Sequence, residues 1–291
     1  MKIMTIDVEE WFHILKLNSG AENQWSTLES RIEKGINDLL DIFEKYDVKA
    51  TFFCLGSVAK SHPWVIKKIS TAGHEIGSHG YSHDLIPMKP SVEFTSDLTN
   101  SIDILEQTTG EKIISYRAPG FSVSKENLWI FDLLLESGIQ IDSSIVIGKS
   151  DYGGLPQFKY NTPFQLKLNN GIIKEFPINT FSFLGLRTIF GGGGYFRFFP
   201  YYIIKKWTAE SSYAMAYFHY RDFDTGQPVF KDLGTLKRFK TYYGIDSCME
   251  KLDNYLNDFK FINVEEADKN IDWTKTKTIN LQESFQVLSE L

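Results

Sequence analysis

Two histidines four residues apart, His79 and His83, sit in the segment Ser78-His79-Gly80-Tyr81-Ser82-His83. If that segment is helical, residues i and i+4 share a face, and two imidazoles there can grip one metal ion. A zinc-type site needs a third protein ligand and an open position. Asp7-Val8-Glu9 can supply the ligand. On a strand, i and i+2 point to one side, so Asp7 and Glu9 face together while Glu10 points away. One carboxylate can hold metal and the other can take a proton from water. Arg117 opens Arg117-Ala118-Pro119-Gly120. A fixed guanidinium there can clamp a carboxylate and keep it ionised, and the Pro-Gly turn lets backbone approach a ligand. His219 ends the apolar run Ala214–Phe218 and is the best unassigned proton-transfer group.

The elements that must position these groups alternate in type. Strands are expected at Lys2–Asp7, Lys49–Leu55, Glu75–Ser78, Ile113–Tyr116, Ile139–Asp142, Ile172–Ile178 and Tyr213–His219. Helices are expected at Ser26–Tyr46, with Ser26 and Glu29 as a capping box, and at Pro63–Ala72, Ser91–Thr108, Ser124–Ser137, Phe199–Glu210 and Gly244–Phe259. Ile262–Val264 is expected to close the sheet. Such a rhythm predicts parallel strands with helical crossovers, and about seven or eight such units predict an α/β barrel. Catalytic groups then belong at the C-terminal strand ends, where each residue above falls. Lys149–Phe164 reads as a long loop. One domain is expected over residues 1–265, with a polar tail at 266–291.

The glycine run Gly191–Gly194 leads into Tyr195-Phe196-Arg197-Phe198-Phe199. It reads as a mobile loop with an aromatic rim for a glycan. Gly120, Gly193, Gly194 and Tyr195 are the expected substrate contacts. Arg197, Lys205, Lys206 and Trp207 could extend that rim towards a membrane surface or a lipid-linked pyrophosphate sugar.

Composition narrows the class. Of 291 residues, 42% are hydrophobic and 23% charged, as in an ordinary globular chain. The net charge of −6 argues against nucleic acid as the main partner. Two cysteines cannot build a disulfide framework. No apolar signal region and no apolar run of roughly 18 residues is present, so a cytoplasmic protein without a membrane-spanning segment is expected.

Read in order, TIDVEE, SHGYSH, RAPG, IDSS and FHYRD resemble the motif series of the polysaccharide deacetylases, the carbohydrate esterase family 4 or NodB-homology hydrolases, over residues 1 to about 225. The DVE-x-W-F start and GGGGYFRFFP look most like the branch encoded with exopolysaccharide or surface-glycan genes. The resemblance implies a distorted (β/α) barrel of about seven parallel strands. It implies a metal-dependent hydrolase that removes N-acetyl groups from an amino sugar in a bacterial polysaccharide or its precursor, free or lipid-linked. In that scheme water activated by the metal attacks the amide. Asp7 is the general base. Glu9, His79 and His83 hold the metal, Arg117 orients and ionises Asp7, His219 is the general acid, and Asp142 orients His219. Zn²⁺ is the first choice of metal, with Co²⁺, Ni²⁺ or Fe²⁺ suited to the same donors. Relatives commonly carry two adjacent Asp residues in the first motif. Here Val8 intervenes and Glu9 takes the second place, which keeps Glu10 open as an alternative ligand. Two other functions fit the motifs: hydrolysis of another amide, in a formamido sugar or cyclic ureide, and catalytically inactive glycan binding.

Overall fold

The computed structural model describes residues 1–13, 27–88, 90–148, 151–156, 158, 160–183, 186–230 and 234–281. Nine strands form one sheet, in the order β10 (Ala214–His219), β1 (Lys2–Val8), β2 (Thr51–Cys54), β3 (Glu75–Ser78), β4 (Ser115–Tyr116), β5 (Ile141–Asp142), β7 (Ile172–Glu175), β6 (Phe164–Lys167) and β11 (Thr278–Asn280). From β10 to β7 every pairing is parallel. This is the parallel α/β sheet the βα rhythm predicts.

Strand alternation divides the apolar residues into two cores. Met4, Ile6 and Val8 point outward to pack under the helices with Ala214, Ala216 and Phe218. Ile3, Met215, Tyr217, Ile141 and Phe176 point inward. The polar residues on the inward phase of β1, Thr5 and Asp7, are therefore buried inside the curved sheet rather than dissolved on its surface.

Among the described residues, no strand pair joins β7 to β10. A side chain bridges them instead. Asn179 Nδ2 donates to Tyr213 O at 3.1 Å, and Asn179 Oδ1 accepts from Met215 N at 2.9 Å. One amide thus replaces both halves of a ladder rung along the seam. Tyr213 Oη adds a bond to Pro177 O at 2.9 Å.

The outer helices cover the other face. They include α1 (Ile32–Lys45), α2 (Gly56–Ser61), α3 (Pro63–Thr71), α4 (Ser91–Thr109) and α5 (Ile130–Glu136) in the first half. The second half adds α6 (Gly193–Phe198), α7 (Tyr201–Glu210), α8 (Thr235–Tyr242), α9 (Cys248–Asp258) and α10 (Val264–Asn270). The amphipathic α1 buries Ile32, Ile36, Leu39, Leu40 and Phe43, the stripe its spacing predicts. Its start differs: Ser26 lies outside the described residues, and the helix begins at Ile32 with no side-chain cap. Residues before it are otherwise engaged, Glu29 O accepting from Trp11 Nε1 at 3.0 Å.

Four further differences follow from local chemistry. The predicted loop ends in β6, which pairs antiparallel with β7 around Asn169-Asn170-Gly171. The short α5 covers only part of Ser124–Ser137. Ile262 makes a single bridge to Ile3 rather than a strand. Residues past 265 also belong to the fold: α10 buries Val264 and Ala267 against the inner core, and β11 extends the sheet. Residues 282–291 of the expected tail lie outside the described residues. A hairpin, β8 (Thr180–Phe183) with β9 (Leu186–Ile189), stands apart from the main sheet. No helix among the described residues is long and apolar enough to cross a membrane.

Candidate active site

Glu9, His79 and His83 converge at the C-terminal strand ends, each buried, with one ligand atom apiece within 4.8 Å of the others. His79 follows β3 directly. Its Nδ1 lies 2.7 Å from Arg117 O, and a carbonyl only accepts, so Nδ1 carries the proton and Nε2 keeps its lone pair. Burial pulls the His79 pKa down to about 4, in spite of nearby Asp7, so the ring is neutral at neutral pH, as a metal ligand must be.

The segment carrying the two histidines is a loop, not the helical turn the i, i+4 spacing allows. The rings meet because Gly80 (φ 76°) and His83 (φ 59°) both take left-handed backbone conformations. The Asp97 carboxylate holds the turn between them, accepting from Tyr81 N at 2.7 Å and Ser82 N at 3.2 Å.

Glu9 is the carboxylate at this centre. Its Oε2 touches His83 Nε2 and is otherwise a buried acceptor without a hydrogen bond. Burial alone would raise its pKa, but His83, His219 and Arg221 hold it well below the usual carboxylate range. Glu10, the open alternative, is committed elsewhere. It accepts from Tyr220 Oη at 2.7 Å and from Ser30 Oγ. Two imidazoles and a carboxylate, one of whose oxygens lacks a hydrogen bond to any group but His83, fit a divalent ion of the zinc class.

Asp7 and His219 are cross-strand partners in the β1–β10 register. Asp7 Oδ1 is 2.9 Å from Arg117 Nη1, and Arg117 is fully buried. The guanidinium is fixed by Thr5 Oγ1, Ser143 O and Ser143 Oγ, and stacks on Phe53 at 4.2 Å. His219 Nε2 lies 3.9 Å from Asp7 Oδ2 and 3.4 Å from Glu9 Oε1. Its Nδ1 lies 3.1 Å from Asp222 Oδ2. Burial would lower the His219 pKa, but Glu9 and the Asp222 hydrogen bond outweigh it and raise the value.

Asp142 does not orient His219. It is buried on β5, where its carboxylate accepts from Ser144 N at 2.9 Å and Ser144 Oγ at 2.7 Å. Asp222 holds His219 instead, and Arg197 pairs with Asp222 at 3.2 Å. The signal was in FHYRD: an Asp three residues after the His, on one short turn. Arg197 therefore points inward. Its guanidinium also donates to the carbonyls of Lys240, Thr241 and Tyr243, so it is not available to a membrane, and Trp207 is likewise buried.

An open cleft of about 880 Å³ lies over these groups. Gly120, Gly193, Gly194 and Tyr195 all line it. The glycine run is not a free loop. Gly191 and Gly192 are buried against β10, and Gly192 bridges Tyr217 so closely that a Cβ would meet Tyr217 O at 1.9 Å.

Residues 20–133 match the family model described as polysaccharide deacetylase, and this span holds His79, His83 and Arg117. Over that span the chain is similar to the polysaccharide deacetylase family. Residues 143–269 match the domain of unknown function DUF3473. His219, Asp222 and most of the cleft wall therefore come from the second region, while Asp7 and Glu9 precede the first.

Sequence relatives are similar to part of this chain. A peptidoglycan deacetylase of Helicobacter pylori is 35% identical over 115 residues, 39% of this chain and 38% of the relative. A peptidoglycan-N-acetylglucosamine deacetylase of Bacillus cereus is 28% identical over 139 residues, 43% of this chain and 50% of the relative. A peptidoglycan-N-acetylmuramic acid deacetylase of Bacillus subtilis is 31% identical over 90 residues, 31% of this chain and 19% of the relative. The chain thus spans half or less of the length of these relatives. Among solved structures, a Mycobacterium smegmatis protein assigned as a polysaccharide deacetylase superposes with a TM-score of 0.64 at 21% identity, over 94% of this chain and 91% of that one. The Puue allantoinase gives 0.55 at 17% identity, over 90% and 85%. A carbohydrate esterase family 4 pseudoenzyme of Bacillus anthracis gives 0.51 at 17%, over 96% and 66%. These likenesses establish the fold.

Proposed function

We propose that this chain is a metal-dependent hydrolase that removes N-acetyl groups from an amino sugar of a bacterial polysaccharide or its precursor. The observation that carries the reading is the pairing of Asp7, ion-paired to buried Arg117, with His219, hydrogen-bonded to Asp222, beside the Glu9, His79 and His83 set. The partial match to enzymes named as peptidoglycan deacetylases supports the same reaction class. The buried free cysteines Cys54 and Cys248 support a reducing location, the cytoplasm.

A divalent ion held by Glu9, His79 and His83 would supply Lewis acidity to the amide carbonyl and to the attacking water. Asp7 takes a proton from that water as its oxygen bonds to the acetamide carbon. Arg117 fixes Asp7 in direction through their ion pair at 2.9 Å. Protonated His219 gives its Nε2 proton to the sugar nitrogen as the carbon–nitrogen bond breaks. The products are acetate and the free amine. The acid and the base differ in environment, as such a division of labour needs: carboxylates raise the His219 pKa, while a cation faces Asp7.

The test joins metal analysis to acetate release. The purified protein is expected to hold about one divalent ion, lost in His79→Ala/His83→Ala. It is expected to release acetate from N-acetylated glycans. His219→Ala should keep the metal and lose roughly 10²–10⁴-fold in kcat. A protein that takes up no metal after loading, or a His219→Ala variant with most of its kcat, would overturn the mechanism.

A further inference from the structure

Most cations around the cleft have a carboxylate committed to them. Arg117 has Asp7 at 2.9 Å, Arg197 has Asp222 at 3.2 Å, and Lys240 has Asp151 at 3.1 Å. Arg221 lines the same cleft and differs. Among the described residues its one ion-pair partner is Glu9, whose Oε1 lies 3.7 Å from Nε. Glu9 is already shared: it belongs to the three-ligand set, and the same Oε1 is 3.4 Å from His219. Arg221 Nε is buried with no hydrogen-bond acceptor. A charged donor kept out of water without a hydrogen bond is costly, and natural sites rarely keep one without a use.

The chain holds Arg221 firmly in this position. Tyr220 before it donates to Glu10, and Asp222 after it bonds His219 and Arg197. Its own carbonyl accepts from Gln227 Nε2 at 2.6 Å. The side chain is only 11% exposed, so its charge is poorly screened in the cleft.

We infer that Arg221 is an anion subsite beside the reacting amide, and that the substrate is an acetamido sugar bearing a carboxylate or phosphate close to its acetamido group. The inference rests on the deacetylase reading and narrows it. A guanidinium matches the paired oxygens of both anions. A neutral sugar hydroxyl can also accept from Nε, but an anionic oxygen supplies the stronger, charge-assisted acceptor that a buried guanidinium favours. Arg221 lies two residues from His219 on one turn, so the anion and the amide belong to the same or an adjoining sugar.

Acetate release tests this on two matched pairs: an N-acetylmuramic acid disaccharide against its methyl ester, and N-acetylglucosamine 1-phosphate against its methyl glycoside. The wild type is expected to prefer the anionic member of at least one pair by about tenfold or more in kcat/KM, mainly through KM. The pair showing the preference tells carboxylate from phosphate. In Arg221→Met the ratio should fall to near one, and Arg221→Lys should keep part of it. A ratio unaltered in Arg221→Met, whatever the overall loss, means that Arg221 only steadies Glu9 and overturns the subsite. So does a wild type without preference, which needs no variant to fold. Calorimetric titration of the metal-loaded protein with the same pairs separates the two readings. If no acetate is released, the deacetylase reading falls. Tighter binding of an anionic member, lost in Arg221→Met, still supports the subsite, and equal binding overturns it.

Discussion

In the proposed mechanism His219 serves as an acid only while its Nε2 carries a proton, and Glu9 and Asp222 set how far up the pH scale that lasts. The Asp222 carboxylate accepts from Nδ1 and, with Glu9, raises the His219 pKa against the effect of burial. In the proposed mechanism kcat/KM then falls as pH rises through that raised value. Asp222→Asn removes the charge and should move the alkaline limb to lower pH, costing roughly tenfold above the limb for each unit of movement. A pH profile of kcat/KM checks it, and metal content serves as the control. An unmoved limb would show that Asp222 only places the ring. At this scale the convergence of Glu9, His79, His83, Asp7, Arg117 and His219 was legible, because strand-end position, residue type and the ordered motif series together nominate them. Arg197 was not. Its partners are the carbonyls of Lys240, Thr241 and Tyr243 and the carboxylate of Asp222, all remote in sequence, and a surface-exposed reading of a basic residue among aromatics is the natural one.

Elements differ in how openly they declare themselves. α1 and α4 announce their faces by spacing, and α4 ends where Gly110 turns left-handed. The His79–His83 loop does not, because i, i+4 spacing fits a helix as well as a turn pinned by Asp97. The strand pair β6–β7 was legible in principle, through alternation on both sides of Asn170-Gly171. One element junction also sets a pH limit. His74, between α3 and β3, is packed against Phe43 and Phe52, and its Nδ1 accepts from Ala50 N at 3.1 Å. That bond needs the neutral ring. Burial, with help from Lys49, lowers its pKa from 6.5 to about 4. The unfolded chain therefore takes the proton first as pH falls. Stability from this group is complete above about pH 6.5 and is lost towards pH 4, by about 3 kcal/mol at most. His74→Gln keeps an acceptor and removes the titration. Urea midpoints across pH 4–7 should slope less in the variant than in the wild type, and parallel slopes would count against the assignment.

The whole molecule is a parallel sheet whose curvature is completed by a side chain. Asn179 satisfies the N–H of Met215 on β10 and the C=O of Tyr213 just before it, where no strand among the described residues pairs. Asn179→Ala should leave both groups buried and unpaired, costing about 2–4 kcal/mol by urea denaturation, far more than a surface Asn. The seven parallel strands were legible from the βα rhythm, but this seam was not. A lone Asn after Pro177-Ile178 has no periodicity to betray it. β11 was hidden for a related reason: a three-residue edge strand in polar surroundings lacks an apolar pattern. The molecule also mixes two regions in one site. Residues 20–133 provide two imidazoles and a guanidinium, and residues 143–269 provide the acid, its Asp and most of the cleft wall.

The register between β1 and β10 has a stereochemical meaning. Because Asp7 and His219 are lateral neighbours, their reacting atoms lie 3.9 Å apart and address the substrate from the same side. Two protons can be exchanged at that spacing when the atoms gaining and losing them hang from a single tetrahedral centre. A tetrahedral centre carrying both the entering oxygen and the departing nitrogen meets that condition. An inverting displacement at a sugar's anomeric carbon, which needs its carboxyl groups roughly 6.5–9.5 Å apart on opposite faces, does not. In the proposed reading the strand spacing therefore suits the amide hanging from the sugar rather than an inverting attack on its glycosidic bond.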